Sequence, residues 1–274
     1  MDHAMQIVKP RNPLAPYIGG KLKLAPEIIR IIDQTEHTTY AECFVGMGGV
    51  FLRRGYAPKA EVINDYSRDV SNFFRILQRH YVQFMDMLKW QITSRSEFER
   101  LIQTDPETLT DLERAARFLY LQRTAFGGKV SGRNFGVTAT RPARFDITKL
   151  ATALEDVHER LSSVVIECLD YKGFIKKYDH EGCLFYLDPP YFDCEDDYGK
   201  GMFEQSEFAV MAECLKAIEG RFIMSINDTP QIREIFKDFH FSEVGLKYSV
   251  GGGANQVAAK ELIIMNYEPN ALLL

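Results

Sequence analysis

The sequence predicts an α/β fold: about seven strands in a parallel or mixed sheet with helices on both faces, interrupted by one mainly helical insert. Three observations predict it. Short apolar runs of β-forming residues alternate with stretches of helical periodicity. Between residues 71 and 144 the alternation stops, and helices and a glycine-rich loop take its place. The last two strands are joined by a short glycine-rich connection with no helix, so they are expected to pair antiparallel.

In chain order, strands are expected at 40–45, 61–65, 164–169, 183–188, 221–227, 241–249 and 261–267. Helices are expected at 22–33, 68–90, 96–102, 112–124, 147–160, 171–178, 207–218 and 230–236. Residues 1–70 and 145–274 then form one body, and 71–144 an insert. No repeat or low-complexity segment breaks the pattern.

The composition suits a folded protein. Hydrophobic residues make up 46% of the 274, enough for a sizeable core, and a charged content of 26% argues against disorder. No stretch approaches the ~20 apolar residues of a membrane span. Met1 to Met5 carry no apolar run, so no signal peptide is expected. The cysteines, at 43, 168, 183, 194 and 214, form no CxxC pair, and three fall in expected buried strands. Reduced thiols and a cytoplasmic location are expected. The histidines show no ligand spacing, so no metal site is expected.

Net charge is −5, yet the span from Arg114 to Phe145 holds seven basic residues and no acid. A mainly acidic chain with one basic window fits a globular body with a local phosphate-binding patch, and equally a solvated surface.

Two motifs carry chemistry. The first is Glu42-Cys43-Phe44-Val45-Gly46-Met47-Gly48-Gly49, which follows an apolar strand. Glycines there let the backbone turn tightly and approach a ligand. Asp65, at the end of the next strand, is placed to bond ribose hydroxyls. The third glycine of a dinucleotide fingerprint is missing, which disfavours a nicotinamide or flavin oxidoreductase, and the glycine–lysine pairs lack the rest of a Walker A loop.

The second motif is Asp188-Pro189-Pro190-Tyr191, at the carboxyl end of the apolar strand that begins at Cys183. The prolines fix φ and remove two amide donors, leaving the carbonyl between them a rigid acceptor. Asp188 adds a second acceptor and Tyr191 an aromatic face. That set suits a planar ring bearing an NH2 group: two acceptors hold its hydrogens and free the nitrogen lone pair, while the ring stacks on Tyr191.

With these motifs the chain resembles the Dam-type, or alpha group, DNA adenine-N6 methyltransferases over nearly its whole length. Pro16-Tyr17-Ile18-Gly19-Gly20-Lys21 looks like the N-terminal cofactor motif, and Cys168-Leu169-Asp170-Tyr171 like the strand end bordering the cofactor adenine. Leu119 to Gly136 resembles the DNA-contacting segment. The resemblance implies a Rossmann-like methyltransferase sheet whose last strand runs antiparallel, with an inserted target-recognition domain. It implies S-adenosylmethionine as cofactor, leaving as S-adenosylhomocysteine, held by Tyr17, Lys21, Glu42, Phe44, Gly46, Gly48, Asp65, Asp170, Tyr171 and Asp188. The expected catalytic residues are Asp188, Pro189, Pro190 and Tyr191, acting on an adenine flipped out of duplex DNA. Candidates for DNA contact are Arg123, Lys129, Arg133, Asn134, Arg141 and Arg144. The loop 127–136 lacks the Arg-Tyr pair expected of GATC-specific members, so no recognition sequence is assigned.

The same tetrapeptide also suits a cytosine-N4 methyltransferase. A catalytically silent DNA-binding protein on this scaffold would lack the tetrapeptide or the ribose acid, and both are present. A monomer is expected. Restriction–modification, phage or prophage protection and regulation all fit the same sequence.

Overall fold

The computed structural model describes residues 5–136, 140, 142–193, 203–249 and 256–268. Strands β1 (Gln6–Ile7) and β3 (Tyr56–Ala57) form a small antiparallel pair that the sequence does not announce. The other seven, β2 (Thr39–Glu42), β4 (Ala60–Asn64), β5 (Val165–Glu167), β6 (Cys183–Leu187), β7 (Arg221–Asn227), β8 (His240–Ser249) and β9 (Gln256–Met265), form one sheet in the order β5-β4-β2-β6-β7-β9-β8. All neighbours are parallel except those of β9, which runs antiparallel to both β7 and β8. The last strand is reversed, and it sits between the two that precede it.

Alternate residues of each strand face opposite sides of the sheet. Tyr40, Ile63, Leu184, Tyr186, Ile223 and Ile263 join one core with α1 (Ala25–Gln34) and the helices of the insert region. Ala41, Val62, Phe185, Leu187, Met224 and Leu262 join a second core under α7 (Tyr171–Tyr178), α8 (Ser206–Lys216) and α9 (Pro230–Ile235).

Between β4 and β5 lie α2 (Arg68–Arg79), α3 (Tyr81–Leu88), α4 (Arg95–Gln103), α5 (Asp111–Thr124) and α6 (Ile147–Arg160). The single helix expected over 68–90 breaks at His80, whose φ of −124° and ψ of 36° are not helical. A capping box of Thr110 and Glu113 starts α5. The boundary expected at residue 71 falls inside α2, which packs against β5, α5 and α6. Phe73, Phe84, Phe98 and Phe118 therefore share one continuous core with the sheet. From α5 to α6 the described residues hold no strand, only an antiparallel bridge between Ala125 and Phe135.

Other limits shift. The strand expected over 40–45 stops at Glu42, because the chain turns into the glycine loop. The last strand begins five residues earlier than the apolar run, at Gln256. Cys168, expected in a buried strand, is exposed just beyond β5, while Cys43 and Cys183 are buried. Cys194 lies outside the described residues. No helix among the described residues is long and apolar enough to cross a membrane.

Because Phe118 stands in the shared core at 1% exposure, Phe118→Ala is expected to cost about 3–5 kcal/mol. Denaturant unfolding followed by circular dichroism checks this, with loss of sheet and insert in a single transition.

Candidate active site

The carboxyl ends of β2, β4 and β6 converge, and buried polar groups lock them there. Asn64, 1% exposed, ends β4. Its Nδ2 donates to the carbonyls of Cys43 and Leu169, both at 3.0 Å, and its Oδ1 accepts from the Leu169 amide at 2.9 Å. One side chain thus sets the spacing of the loops that follow β2 and β5.

Above these ends lies a cavity of about 470 Å³. Of the residues expected to hold a cofactor, Tyr17, Lys21, Glu42, Phe44, Gly46, Asp65 and Asp188 line it, and so do Gly19, Gly20 and Pro190 of the two flanking motifs. Gly46 adopts a φ of 50°, and a Cβ there would come within 3.0 Å of the Tyr17 ring, so glycine is needed both for the turn and for the close approach of Tyr17. Asp65 accepts from the Gly46 amide and the Ser67 amide, each at 2.9 Å. A carboxylate has about four lone-pair positions, so capacity for ligand hydroxyls remains.

Three expected residues lie outside the lining. Gly48 sits beneath the turn, against Leu52. Asp170 caps α7 by accepting from the Gly173 amide. Tyr171 is buried, donates to Glu207 at 2.7 Å and packs behind Phe44 with ring centroids 6.2 Å apart.

The tetrapeptide follows β6 directly. Lys21 Nζ is 2.7 Å from Asp188 Oδ1 and donates to the Tyr191 hydroxyl at 2.8 Å. Ser225 Oγ donates to the same Oδ1 at 3.2 Å, and Tyr186 shares a hydrogen bond with Ser225. The Tyr191 hydroxyl donates to Glu261, 2.6 Å from each carboxylate oxygen. Pro189 is buried beside them.

Burial dominates the electrostatics. It pushes Asp188 up to about 6, against the pull of Lys21, and pushes Asp65 up to about 6 against two amide donors. Glu42 is raised to about 8 by burial, although Tyr40 donates to it at 2.6 Å. Asp65 and Asp188 bring carboxylate acceptors to the cavity, beside the protonated Glu42 and the cations Lys21 and Arg53. S-adenosylmethionine, with its amino and ribose groups as donors, fits those acceptors. Among the described residues no cluster of three or more His, Cys, Asp or Glu is arranged for a metal ion.

Several residues that the sequence does not single out join the site. Glu261 and Ser225 reach it from β9 and β7, and Arg53, Tyr66 and Val130 line the cavity. An acid opening an apolar run, as in Glu261-Leu262-Ile263-Ile264, is the one signal that points to Glu261.

The basic window divides. Arg114 pairs with Asp69 and Glu107, acids from outside the window. Arg117 Nε donates to the Leu101 carbonyl. Arg123 braces the chain, donating to the carbonyls of Leu14 and Arg144, and Arg144 donates to the Ala125 carbonyl at 3.1 Å. Arg133 donates to the Lys129 carbonyl and to Gln122. Lys129 and Asn134 stand exposed on the loop. Arg141 lies outside the described residues.

A sheet with this strand order and a cavity that suits a nucleoside cofactor beside the Asp-Pro-Pro-Tyr tetrapeptide fit one class, the methyltransferases of the Rossmann-like type. The family of D12 class N6 adenine-specific DNA methyltransferases matches residues 17–250, and the chain belongs to it. It is thus an enzyme that methylates adenine N6 in DNA with S-adenosylmethionine as methyl donor. The chain is 26% identical to a type II methyltransferase of Lactococcus lactis subsp. cremoris, over 93% of this chain and 95% of the relative. It is 23% identical to a type II methyltransferase of Paramecium bursaria Chlorella virus NC1A, over 93% and 100%. A DNA N-6-adenine-methyltransferase of Escherichia phage P1 is 25% identical over 82% of this chain, which spans 31% of that longer protein.

Glu42 offers a direct check on the buried charge. Its folded pKa lies above the ordinary 4.5, so the native state keeps a proton that the unfolded chain releases. Stability from this group therefore falls as pH rises through the window from 4.5 to about 8. Glu42→Gln cannot titrate, and relative to the parent it is expected to gain stability through that window, by up to about 1.4 kcal/mol per pH unit. Denaturant unfolding of both proteins at pH 5 and pH 9 measures it; an unchanged difference would refute the buried-acid reading.

Proposed function

We propose that the cavity takes S-adenosylmethionine and that Asp188, Pro189, Pro190 and Tyr191 hold a flipped-out adenine of duplex DNA beside it. The observation that carries this reading is the Asp188 carboxylate. Among the described residues, the groups that bond it, Lys21 and Ser225, both reach Oδ1. The carboxylate they hold lines the cavity.

In this reading Asp65 bonds the ribose, Phe44 covers the adenine of the cofactor, and Tyr17, Lys21, Glu42 and Gly46 complete its walls. Gly48, Asp170 and Tyr171 act from behind by shaping the turn and supporting Phe44. The cofactor supplies a methyl group on a positively charged sulfur, a good leaving group. Asp188 Oδ2 and the Pro189 carbonyl accept the two amine hydrogens of the target base. Holding both hydrogens draws the nitrogen lone pair out of conjugation, so that it would be free to take the methyl group the cofactor would supply as its sulfur leaves. The nitrogen then sheds one proton, for which the Asp188 carboxylate is the acceptor. Tyr191 stacks on the base, an interaction worth ~1–3 kcal/mol. Positioning does most of the work, since no covalent intermediate with the protein is needed.

We assign target recognition to the segment 71–144. Lys129 and Asn134, with the outer face of Arg133, are the candidates for contact with DNA, while Arg123 and Arg144 brace the loop that carries them. The names of two relatives, type II methyltransferases, support a place in restriction–modification.

Asp188→Ala and Asp188→Asn are expected to lower methyl transfer at least about 100-fold while the fold survives. Labelled S-adenosylmethionine and unmethylated duplex DNA, digested to nucleosides, give the readout. Label in N4-methylcytosine instead of N6-methyladenine would change the base and keep the chemistry; near-parental turnover in a folded Asp188→Ala protein would sink the assignment. Lys129→Ala is expected to lower the slope of log affinity against log salt by about 0.9, whereas Arg123→Ala is expected to destabilise the fold. Equal slopes for Lys129→Ala and the parent would remove Lys129 from the interface.

A further inference from the structure

We propose that Glu261 is a positioning residue for methyl transfer, acting through the Tyr191 hydroxyl to hold the Tyr191 ring and the Lys21 ammonium against Asp188. The inference rests on the reading of Asp188 to Tyr191 as the amine-holding motif.

Glu261 has no business in its strand on hydrophobic grounds. It is 2% exposed, and Leu262, Ile263, Ile264 and Met265 after it are fully buried. A carboxylate in such a place is costly unless strong donors meet it. The hydroxyl of Tyr191 donates to it, at 2.6 Å from both oxygens. That hydroxyl accepts in turn from Lys21, whose Nζ also bonds Asp188 and lies 4.2 Å from the Tyr191 ring centroid. The chain of contacts is continuous: Asp188, Lys21, Tyr191, Glu261.

The cross-strand partner of Glu261 is Asn227 on β7, and partners in an antiparallel pair point to the same face. Asn227 Oδ1 accepts from the Phe192 amide at 2.9 Å, and its Nδ2 donates to the Phe192 carbonyl at 3.1 Å. One neighbour grips the backbone of residue 192 and the other the side chain of residue 191. The segment they grip follows two prolines, which have no amide hydrogens with which to anchor themselves. Two side chains from the reversed strand pair do what a sheet ladder does elsewhere.

The charge of Glu261 has a consequence that its shape alone lacks. The groups facing Asp188 are Lys21, Glu42, Tyr186, Tyr191, Ser225 and Glu261. Glu261 opposes ionisation of Asp188, and its charge holds the Tyr191 hydroxyl more strongly than a neutral acceptor would. Glutamine at 261 still accepts from the Tyr191 hydroxyl, so a merely structural role survives Glu261→Gln. A role that needs the charge does not.

The experiment is steady-state methylation of duplex DNA across pH by the parent, Glu261→Gln, Tyr191→Phe and the double variant. For Glu261→Gln, kcat is expected to fall about 10- to 100-fold, with KM for S-adenosylmethionine within about twofold and the acidic limb of the kcat profile moved down by about half a pH unit. In the Tyr191→Phe background the same substitution is expected to add less than about threefold, because its route is already cut. Parental kcat and an unmoved limb in folded Glu261→Gln, or an undiminished effect in the Tyr191→Phe background, would overturn the proposal. Should Glu261→Gln fail to fold, Tyr191→Phe alone decides: parental kcat in it overturns the proposal. A parent that makes no N6-methyladenine would instead overturn the reading beneath it, and its activity with normal variants would overturn this inference alone.

Discussion

The burial of Lys21 between Asp188 and Tyr191 is the constraint on which the site depends. Its side chain is 3% exposed, and an ammonium so far from water is tolerable only where anions and hydrogen-bond acceptors replace the lost hydration. Asp188 and Tyr191 are those partners, from the far side of the sequence. The contact joins residues 170 positions apart, and it draws the loop before α1 across the carboxyl ends of β2 and β6. Without that loop the glycine turn at Gly46 would have no roof, since Tyr17, which meets Gly46, travels on the same segment.

The reversed strand matters for the same reason. In a parallel sheet, the ends that meet a ligand are all carboxyl ends. By running the other way, β9 brings Glu261, in its middle, to the level of the carboxyl end of β7. An acid can then be delivered from the middle of a strand pair instead of from a loop, with its position fixed by ladder hydrogen bonds on both sides. The opposite end of the sheet shows what such acids do when no chemistry is asked of them. There Glu61, at the start of β4, is enclosed by Arg54 and Arg160 at 2.6–2.8 Å and simply joins β4 to α6 and the β2–β4 connection.

The alternation of strands and helices, the helix-free step before β9 and both motifs were legible in the sequence because each is local: periodicity, glycine and proline chemistry and apolar runs are properties of neighbouring residues. The site residues that the motifs named and the cavity gathers, such as Glu42, Asp65 and Asp188, were legible for the same reason. What stayed hidden depends on contacts between distant segments. Nothing near Arg123 shows that its guanidinium would be taken by the carbonyls of Leu14 and Arg144. Nothing near Arg114 shows that Asp69 and Glu107 would neutralise a window free of acids. Charge counted along the chain overstated the charge presented to a partner. The break at His80 was equally invisible, since the apolar pattern of α2 continues in phase into α3.

The insert and the cavity are not separate devices joined by a linker. Gln122, fully buried near the end of α5, donates to the carbonyls of Pro16 and Gly128 at 2.8 and 2.6 Å. The Ile18 amide donates to Gly128 at 3.1 Å. Gly128 lies so near Pro16 that a Cβ would stand 2.8 Å from its carbonyl carbon, which is why a glycine with positive φ occupies that point of the loop. Pro16, Tyr17, Ile18 and, from the loop itself, Val130 all line the cavity. The inner side of the loop that carries Lys129 and Asn134 is therefore a wall of the cavity above Asp188. Hydrogen bonds of this length admit little slack, so the loop and that wall share one geometry. The same few peptide groups join the loop of Lys129 and Asn134 to the segment that carries Tyr17 and Lys21 over Asp188.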